Sequence, residues 1–117
     1  MATITKRLLS GSTNGKAILV ASTTAASGTI LHTAVSGTTN FDEVWVYAQN
    51  LTSGIKRLIV NYQATASGDK VTYDLPVKQY GPSVVVPGYL AQNGNVIRAY
   101  ATAANVISAH GYVHRIA

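Results

Sequence analysis

The sequence DEVWVYAQN, residues Asp42 to Asn50, is the most strand-like stretch of the chain. Successive side chains of a β-strand point to opposite faces, so Val44 and Val46 lie on one face and Trp45 and Tyr47 on the other. A strand that covers a single core needs only one apolar face. The stretch therefore predicts a strand whose second apolar face is covered either by a further layer of the same fold or by another protein chain.

Segments with the same strand-like character recur along the chain, separated by turn dipeptides such as Asn14-Gly15 and Asn93-Gly94. Glycine allows the positive φ that tight turns require, whereas apolar residues at helical spacing are almost absent. The predicted strands are Ala17–Ala21, Thr29–Val35, Glu43–Gln49, Ile55–Gln63, Lys70–Val77, Ser83–Val86, Val96–Thr102 and Val106–Arg115, with Thr3–Leu9 as a weak strand or extended arm. About eight short strands predict an all-β fold, an antiparallel β-sandwich resembling a jelly roll.

The length and the distribution of apolar residues predict the domain organisation. The chain has 117 residues, enough for one domain, and no linker divides residues 16–117, which are predicted to form a single β-sandwich. Residues 1–15 are rich in Ser, Thr and Gly and contain few apolar side chains to anchor them in a core. We therefore expect them to form an extended N-terminal arm.

The composition favours a protein whose surface other proteins cover. Only 11% of the residues are charged, against about 25% in a typical soluble domain. A free monomer normally keeps a more charged surface.

There is no cysteine, no segment like a signal peptide and no run of the roughly 20 apolar residues that a membrane span needs. These features predict synthesis in a cytoplasm and no membrane association.

The net charge of +5 raises the possibility of nucleic-acid binding, which the distribution of the charges argues against. Lysine and arginine are scattered, whereas nucleic-acid-binding proteins cluster them on one face. Arg98 and Tyr100 come closest to a basic and aromatic pair, and a cross-strand surface pair explains them equally well. We expect no direct contact with nucleic acid.

Residues that could carry catalysis or bind a metal do not form a site in the sequence. Asp42 and Glu43 are neighbours on a strand and so point to opposite faces. His110 and His114 lie about 13 Å apart on a strand, too far to share one ion, although each could meet its symmetry mates at an oligomer axis. His32 lies between apolar neighbours and is predicted to be a hydrogen-bonded structural histidine. The sequence predicts a protein that is not an enzyme and has no catalytic residue, cofactor or metal site.

The stretches GTTNFDEVWVYAQNL and VVVPGYLAQNGNVIRAYATAANVISAHGYVHRI resemble small virion structural proteins of tailed bacteriophages, of the capsid decoration (cement) kind. The resemblance extends from Gly37 to the last residue. It rests on the FDEVW strand, the VVPG turn, the Asn-Gly hairpin and the closing GYVHRI strand.

The resemblance implies a β-sandwich that forms a homo-oligomer, often a trimer, and binds the major capsid protein on the outside of the capsid lattice. The protein would then be located in the virion, at the capsid surface, after synthesis in the host cytoplasm. The segment from Ala2 to Gly15 would suit an arm lying across a neighbouring subunit. Two alternatives stay open: a structural protein of the head–tail junction, tail or fibre, and a glycan-binding sandwich.

Large rigid aromatic side chains are the residues that interfaces favour as anchors, and they could equally stack on sugar rings. We predict that a neighbouring subunit buries at least one of Trp45 and Tyr47. The candidate interface residues are Trp45, Tyr47, Tyr89, Arg98, Tyr100, His110, Tyr112 and His114.

Overall fold

A computed structural model describes residues 3–117 and shows an all-β protein, which confirms the predicted fold class. The strands within these residues are β1 (Ile4–Leu8), β2 (Ile18–Leu19), β3 (Thr29–Thr33), β4 (Phe41–Asn50), β5 (Lys56–Tyr62), β6 (Lys70–Leu75), β7 (Ser83–Ala91), β8 (Val96–Ala101) and β9 (Ile107–Ile116). Short 3-10 turns lie at Ala25–Ser27, Ser67–Asp69 and Lys78–Tyr80.

The strands form two antiparallel sheets with the topology of a jelly roll. The front sheet has the order β1-β9-β4-β7, with β2 also paired to β9, and the back sheet has the order β3-β8-β5-β6. The pairs β2–β9, β3–β8, β4–β7 and β5–β6 are nested, as they are when one long antiparallel hairpin is rolled into two sheets. The predicted sandwich of jelly-roll type is therefore confirmed.

The core lies between the two sheets and follows the alternation along β4. Val44, Val46 and Ala48 are fully buried, whereas Trp45 and Tyr47 lie on the outer face of the front sheet and are only partly covered. Fully burying one Val or Leu side chain stabilises the fold by about 1.5–3 kcal/mol relative to leaving it exposed. The inward-facing side chains of both sheets thus hold the sandwich together, and the second apolar face of β4 lies outside the core.

The N-terminal segment packs against the sandwich of its own chain, although an extended arm was expected for residues 1–15. Of the two alternatives for Thr3–Leu9, the structure shows the strand. Met1 and Ala2 lie outside the described residues. β1 pairs with residues 112–116 of β9 and β2 pairs with residues 108–109, so the two form one interrupted edge strand. Between them Leu9 enters the core, with only 1% of its surface exposed. The side chains of β1 are all exposed, because backbone pairing rather than apolar contact holds this strand.

Gly11 lies against the backbone of β3, and this close approach is a testable feature of the fold. The Gly11 amide donates to the Leu31 carbonyl oxygen at 3.0 Å. A Cβ atom at Gly11 would lie 2.2 Å from the Ile30 carbonyl oxygen and 2.8 Å from that of Leu31. Since backbone atoms must move to relieve such a clash, Gly11→Ala is expected to lower the free energy of unfolding by about 1–3 kcal/mol.

Urea unfolding followed by circular dichroism measures this change. The matched control is Gly54→Ala, because a Cβ at Gly54 meets no atom within 4 Å. The control is expected to stay within about 0.5 kcal/mol of the parent. Equal stability of the two variants would contradict the docking of residues 9–12 onto β3.

The prediction of a turn at VVPG is wrong, because these residues lie within strand β7. The strand was predicted to end at Val86, but it continues to Ala91 through Pro87 and Gly88. Proline lacks an N–H group and is tolerated because β7 is an edge strand. Gly88 has φ +80°, and the pairing with β4 shifts register beside Trp45, as at a β-bulge. A Cβ at Gly88 would lie 2.9 Å from the indole ring of Trp45, so the absence of a side chain there leaves room for that ring.

The Asn93-Gly94 pair is a second correction, because it does not close a hairpin. It connects β7 in the front sheet to β8 in the back sheet. Both residues have positive φ, 62° and 66°, as a tight turn with these residue types requires. The dipeptide therefore identified a turn correctly, whereas the partners of the two flanking strands depend on the rolled topology.

Candidate interaction site

The outer face of the front sheet carries a group of aromatic and titratable side chains contributed by β4 and β9. Trp45 is opposite Tyr112, Tyr47 is opposite His110, and Glu43 is opposite His114. Residues directly opposite each other in a sheet share a face, and the inward face is taken by Val44, Val46 and their partners. We call this surface the aromatic face and define it by Glu43, Trp45, Tyr47, His110, Tyr112 and His114.

Tyr112 is the centre of the aromatic contacts on this face. Its ring centroid lies 6.5 Å from those of both Trp45 and Tyr47, with interplanar angles of 19° and 30°. The imidazole of His114 lies 5.3 Å away on its other side along β9. Such aromatic pairs contribute about 0.5–1.5 kcal/mol each beyond the area they bury. The cluster is therefore held by contacts among its own rings.

Glu43 orients the indole of Trp45. The Trp45 Nε1–H group donates to Glu43 Oε1 at 2.7 Å, and His114 Nδ1 lies 3.1 Å from the same oxygen. The hydrogen bond from Trp45, followed by that from His114, lowers the pKa of Glu43 below its ordinary value. On the β1 side, Lys6 Nζ lies 4.9 Å from the ring centroid of Tyr112, within the range of a cation–π contact. The face thus combines rigid aromatic surface with one carboxylate and one ammonium group.

Exposed apolar side chains extend the aromatic face towards both edges of the sheet. They lie in register with it on β1, β2 and β7, and their exposed fractions range from 42% at Val84 to 68% at Ile4. A single exposed apolar residue is ordinary, whereas a contiguous group marks an interaction surface. The apolar rim consists of Ile4, Leu8, Leu19, Val84 and Leu90.

The structure brings together five of the eight candidate interface residues and separates the other three. Trp45, Tyr47, His110, Tyr112 and His114 all lie on the aromatic face. The remaining candidates, Arg98, Tyr100 and Tyr89, lie elsewhere. Arg98 and Tyr100 point outward from the back sheet, where Tyr100 accepts a hydrogen bond from Lys70 Nζ at 3.1 Å. Tyr89 packs edge-on against Tyr62, with centroids 5.6 Å apart.

A buried polar network holds the end of the sandwich next to the aromatic face, and the sequence analysis missed it. Asp42 is fully buried and accepts hydrogen bonds from His32 Nε2 at 2.7 Å, from Arg115 Nε at 2.8 Å and Nη2 at 3.1 Å, and from the Val35 amide at 3.1 Å. Burial raises the pKa of Asp42, but the hydrogen bonds from Arg115 and His32 outweigh it and bring the pKa below its ordinary value. The sequence did contain a signal for this burial, because Asp42 is two residues from Val44 on the same strand and therefore lies on the same inward face.

His32 has the structural role predicted for it. Its Nδ1 accepts the backbone N–H of Ser10 at 2.9 Å, so its Nε2 carries the proton that it donates to Asp42. The Ser10 hydroxyl accepts the backbone N–H of Thr33 at 2.6 Å. His32 is therefore bonded to the backbone N–H of Ser10 and not to its hydroxyl, so Ser10, His32 and Asp42 are not arranged as a nucleophile, a base and an orienting carboxylate. They fasten the N-terminal segment to β3 and β4.

No group of three or more His, Cys, Asp or Glu side chains within residues 3–117 is placed to hold a metal ion. The helical turns in the same part of the chain are all too short to cross a membrane.

A comparison with protein-family models, curated proteins and solved structures found no match to the chain.

Proposed function

We propose that the protein is a non-enzymatic virion structural protein that decorates a bacteriophage capsid, binding the major capsid protein lattice through the aromatic face. The observation that carries this proposal is the position of Trp45, Tyr47 and Tyr112 outside a complete core. The chain has 6146 Å² of accessible surface, close to the roughly 6,100 Å² expected of a compact monomer of this mass. The sandwich therefore closes its own core, and the aromatic face is available to a partner.

The physical properties of the aromatic face suit a stable protein interface. Interface cores are depleted of charge and enriched in Trp and Tyr, and a few such residues carry most of the binding energy. The low charge of the whole chain points the same way. Jelly rolls occur in viral capsid proteins and in lectins, and because one fold hosts many functions, the argument depends on this surface rather than on the fold.

A decoration protein stabilises a capsid by mass action. It binds the assembled lattice and not the separated subunits, so its binding free energy is added to the stability of the assembled state. The proposal includes self-association, with the trimer favoured, because a homo-oligomer presents several copies of the aromatic face or its rim to adjacent lattice subunits. Light scattering coupled to size-exclusion chromatography tests this part, and a monomer at all concentrations would contradict it.

Glycan binding is the second candidate, and the geometry of Trp45 and Tyr112 favours it. Their rings are within 19° of parallel, and Glu43 and His114 place hydrogen-bonding atoms beside them. Sugar rings stack on such aromatic surfaces while their hydroxyls bond to adjacent polar groups. A glycan array probed with the oligomer separates the candidates, since saturable binding to one glycan class, competed by the free sugar, would favour this role.

Antibody labelling of purified virions of the phage that encodes the chain tests where the protein resides. Gold label distributed over the head supports the decoration proposal. Label confined to the tail, fibres or head–tail junction supports the alternative structural location. Virions without label, in preparations where the antibody recognises the denatured protein, would contradict a virion role.

Trp45→Ala is expected to weaken binding to capsids far more than it destabilises the monomer. Loss of an interface anchor typically costs about 2 kcal/mol or more, which corresponds to about 30-fold weaker binding. Co-sedimentation with capsids purified from particles lacking the protein measures the affinity, and thermal unfolding measures the stability. The control is Tyr80→Ala, because Tyr80 is 70% exposed and lies outside the aromatic face. Equal binding by the two variants would refute the role of the face.

A further inference from the structure

A polar cleft lies on the opposite side of the molecule, beyond the end of β5, and has no part in the proposed function. Its volume is about 300 Å³, at the lower end of the range for small-molecule sites. It is formed by the connection that follows β5, the Asn93-Gly94 turn and the start of β8. The lining residues are Asn61, Gln63, Ala64, Thr65, Gly94, Asn95, Val96 and Arg98.

Asn61 contributes a buried hydrogen-bond donor without a partner. The residue is 2% exposed, and its Oδ1 accepts a hydrogen bond from Lys70 Nζ at 3.2 Å. Its Nδ2 has no hydrogen-bond partner among residues 3–117. Because Lys70 pairs with Asn61 from β6 and Arg98 pairs with it from β8, an oxygen directed at Lys70 leaves the nitrogen on the β8 side, where the cleft lies. A buried donor left unsatisfied is costly, so this amide indicates a missing acceptor.

Arg98 is the charged residue of the lining. The hydrogen bond that it makes within the described chain is a long one, from Nη1 to the Gly28 carbonyl oxygen at 3.4 Å. Its guanidinium group has five N–H donors in a planar fork that matches a carboxylate. None of the lining residues carries a carboxylate. The lining therefore contains one cationic residue, Arg98, and one residue with an unpaired amide donor, Asn61.

Gln63 makes the cleft rigid. Its Oε1 accepts hydrogen bonds from the Gln92 amide and from Asn95 Nδ2, both at 3.3 Å, and its Nε2 donates to the Leu90 carbonyl oxygen at 3.2 Å. These bonds join the end of β5 to the turn between β7 and β8. A site whose walls are fixed before binding loses less entropy when a ligand enters.

We propose that this cleft binds a small ligand through a carboxylate group, held between the guanidinium group of Arg98 and the Nδ2 amide of Asn61. A carboxylate has the planar shape and the single charge that one guanidinium and one amide complement. The carboxylate can belong to a sugar acid or to a simple organic acid. Thr65 and Asn95 supply the side-chain hydroxyl and amide groups that a sugar acid requires.

Nuclear magnetic resonance of the ¹⁵N-labelled protein tests the proposal, because the Asn61 side-chain amide and the Arg98 Nε–H group give their own signals. The probes are sodium glucuronate and sodium acetate, with glucose as the neutral control and inorganic phosphate as the anion control. Saturable shifts at both signals are expected with the carboxylates. Tighter binding of glucuronate would identify a sugar acid as the ligand source, and equal affinities would identify a simple carboxylate.

Two variants link the shifts to the proposed atoms. Arg98→Gln is expected to weaken binding at least about tenfold, while Arg57→Gln, which removes the same charge from an exposed pair outside the cleft, is expected to change it less than about twofold. Asn61→Asp keeps an oxygen for Lys70 but replaces the free N–H donor by a second carboxylate oxygen, which repels a ligand carboxylate. This variant is therefore expected to abolish binding in a protein that still folds. Amide spectra and thermal unfolding verify the fold of each variant.

Three results would overturn the proposal. The first is the absence of shifts at Asn61 with either carboxylate when the ligand concentration is raised to about 100 times that of the protein, in the millimolar range in which weak ligands bind. The second is an equal response to glucose or phosphate. The third is an equal loss of affinity in Arg98→Gln and Arg57→Gln, which would show general charge attraction.

Discussion

Asp42→Asn is expected to lower the free energy of unfolding by about 3–5 kcal/mol, the largest effect of a single substitution considered for this protein. The Asp42 carboxylate is fully buried and accepts four hydrogen bonds, from His32, from Arg115 twice and from the Val35 amide. An amide of the same size cannot accept from all of these donors and has no charge to balance Arg115. The substitution therefore leaves a partly buried guanidinium group without its counterion.

Asp74→Asn is the matched control, because the chain contains a second Asp–Arg pair of similar geometry. Asp74 binds Arg57 with an N···O distance of 2.7 Å, and both side chains are more than half exposed. Exposed ion pairs contribute about 0–1 kcal/mol. Urea unfolding at pH 7 is expected to separate the two variants clearly, and losses of equal size would contradict the structural role of the buried network.

The contribution of Asp42 is also expected to depend on pH. Hydrogen bonds from Arg115 and His32 overcome the effect of burial and place its pKa in the folded state below its ordinary value of 3.8. The unfolded state therefore takes up the proton at a higher pH than the folded state. The stabilisation is complete above the unfolded pKa and is lost as the pH falls through the folded pKa. The stability difference between the parent and Asp42→Asn should accordingly shrink from pH 5 downward, and a constant difference would contradict this assignment.

Leu9→Ala is expected to lower the free energy of unfolding by about 2–5 kcal/mol, the usual cost of emptying a buried leucine site. Leu9 has 1% of its surface exposed and belongs to the core between the sheets. The neighbouring variant Leu8→Ala is an exacting control, since Leu8 is 55% exposed and should change stability by no more than about 0.5 kcal/mol. Chemical denaturation of both variants measures the contrast.

The same pair of variants decides how the N-terminal segment behaves in solution. If residues 1–15 were an arm that leaves the sandwich, Leu9→Ala would be as mild as Leu8→Ala. A large effect of Leu9→Ala alone is expected instead, because residues 9–12 are fastened to β3 through Gly11 and through the bond from Ser10 to His32.

The strands and their faces could be predicted from the sequence because alternation is a local property. As predicted, Val44 and Val46 share one face of β4, and Trp45 and Tyr47 share the opposite face. In β9 the side chains of His110, Tyr112 and His114 stand at alternate positions of the predicted strand, and they share the outer face of the front sheet. These predictions needed only the period of two that any extended chain has.

Other expectations failed because local patterns do not identify a distant partner. The Asn93-Gly94 pair is a tight turn, but its flanking strands belong to different sheets. Pro87 indicated the end of a strand, although an edge strand tolerates it. The segment before Gly15 lacked apolar side chains to anchor it, yet β1 is held by its backbone pairing with β9, which the side-chain pattern does not show.

By itself, the sequence determined the fold class, the turn at Asn93-Gly94 and the placement of Trp45 and Tyr47 on the same face of a strand, since each follows from residues close together in the chain. Only the tertiary structure decided that this face lies outside the core, that Tyr112 joins it, and that Arg115 reaches Asp42 from 73 positions away. The physical reason is that the charge and shape of a side chain indicate which kind of partner it needs, such as a counterion, a hydrogen-bond donor or an apolar neighbour. Which atoms become those partners is decided only when the two sheets pack against each other.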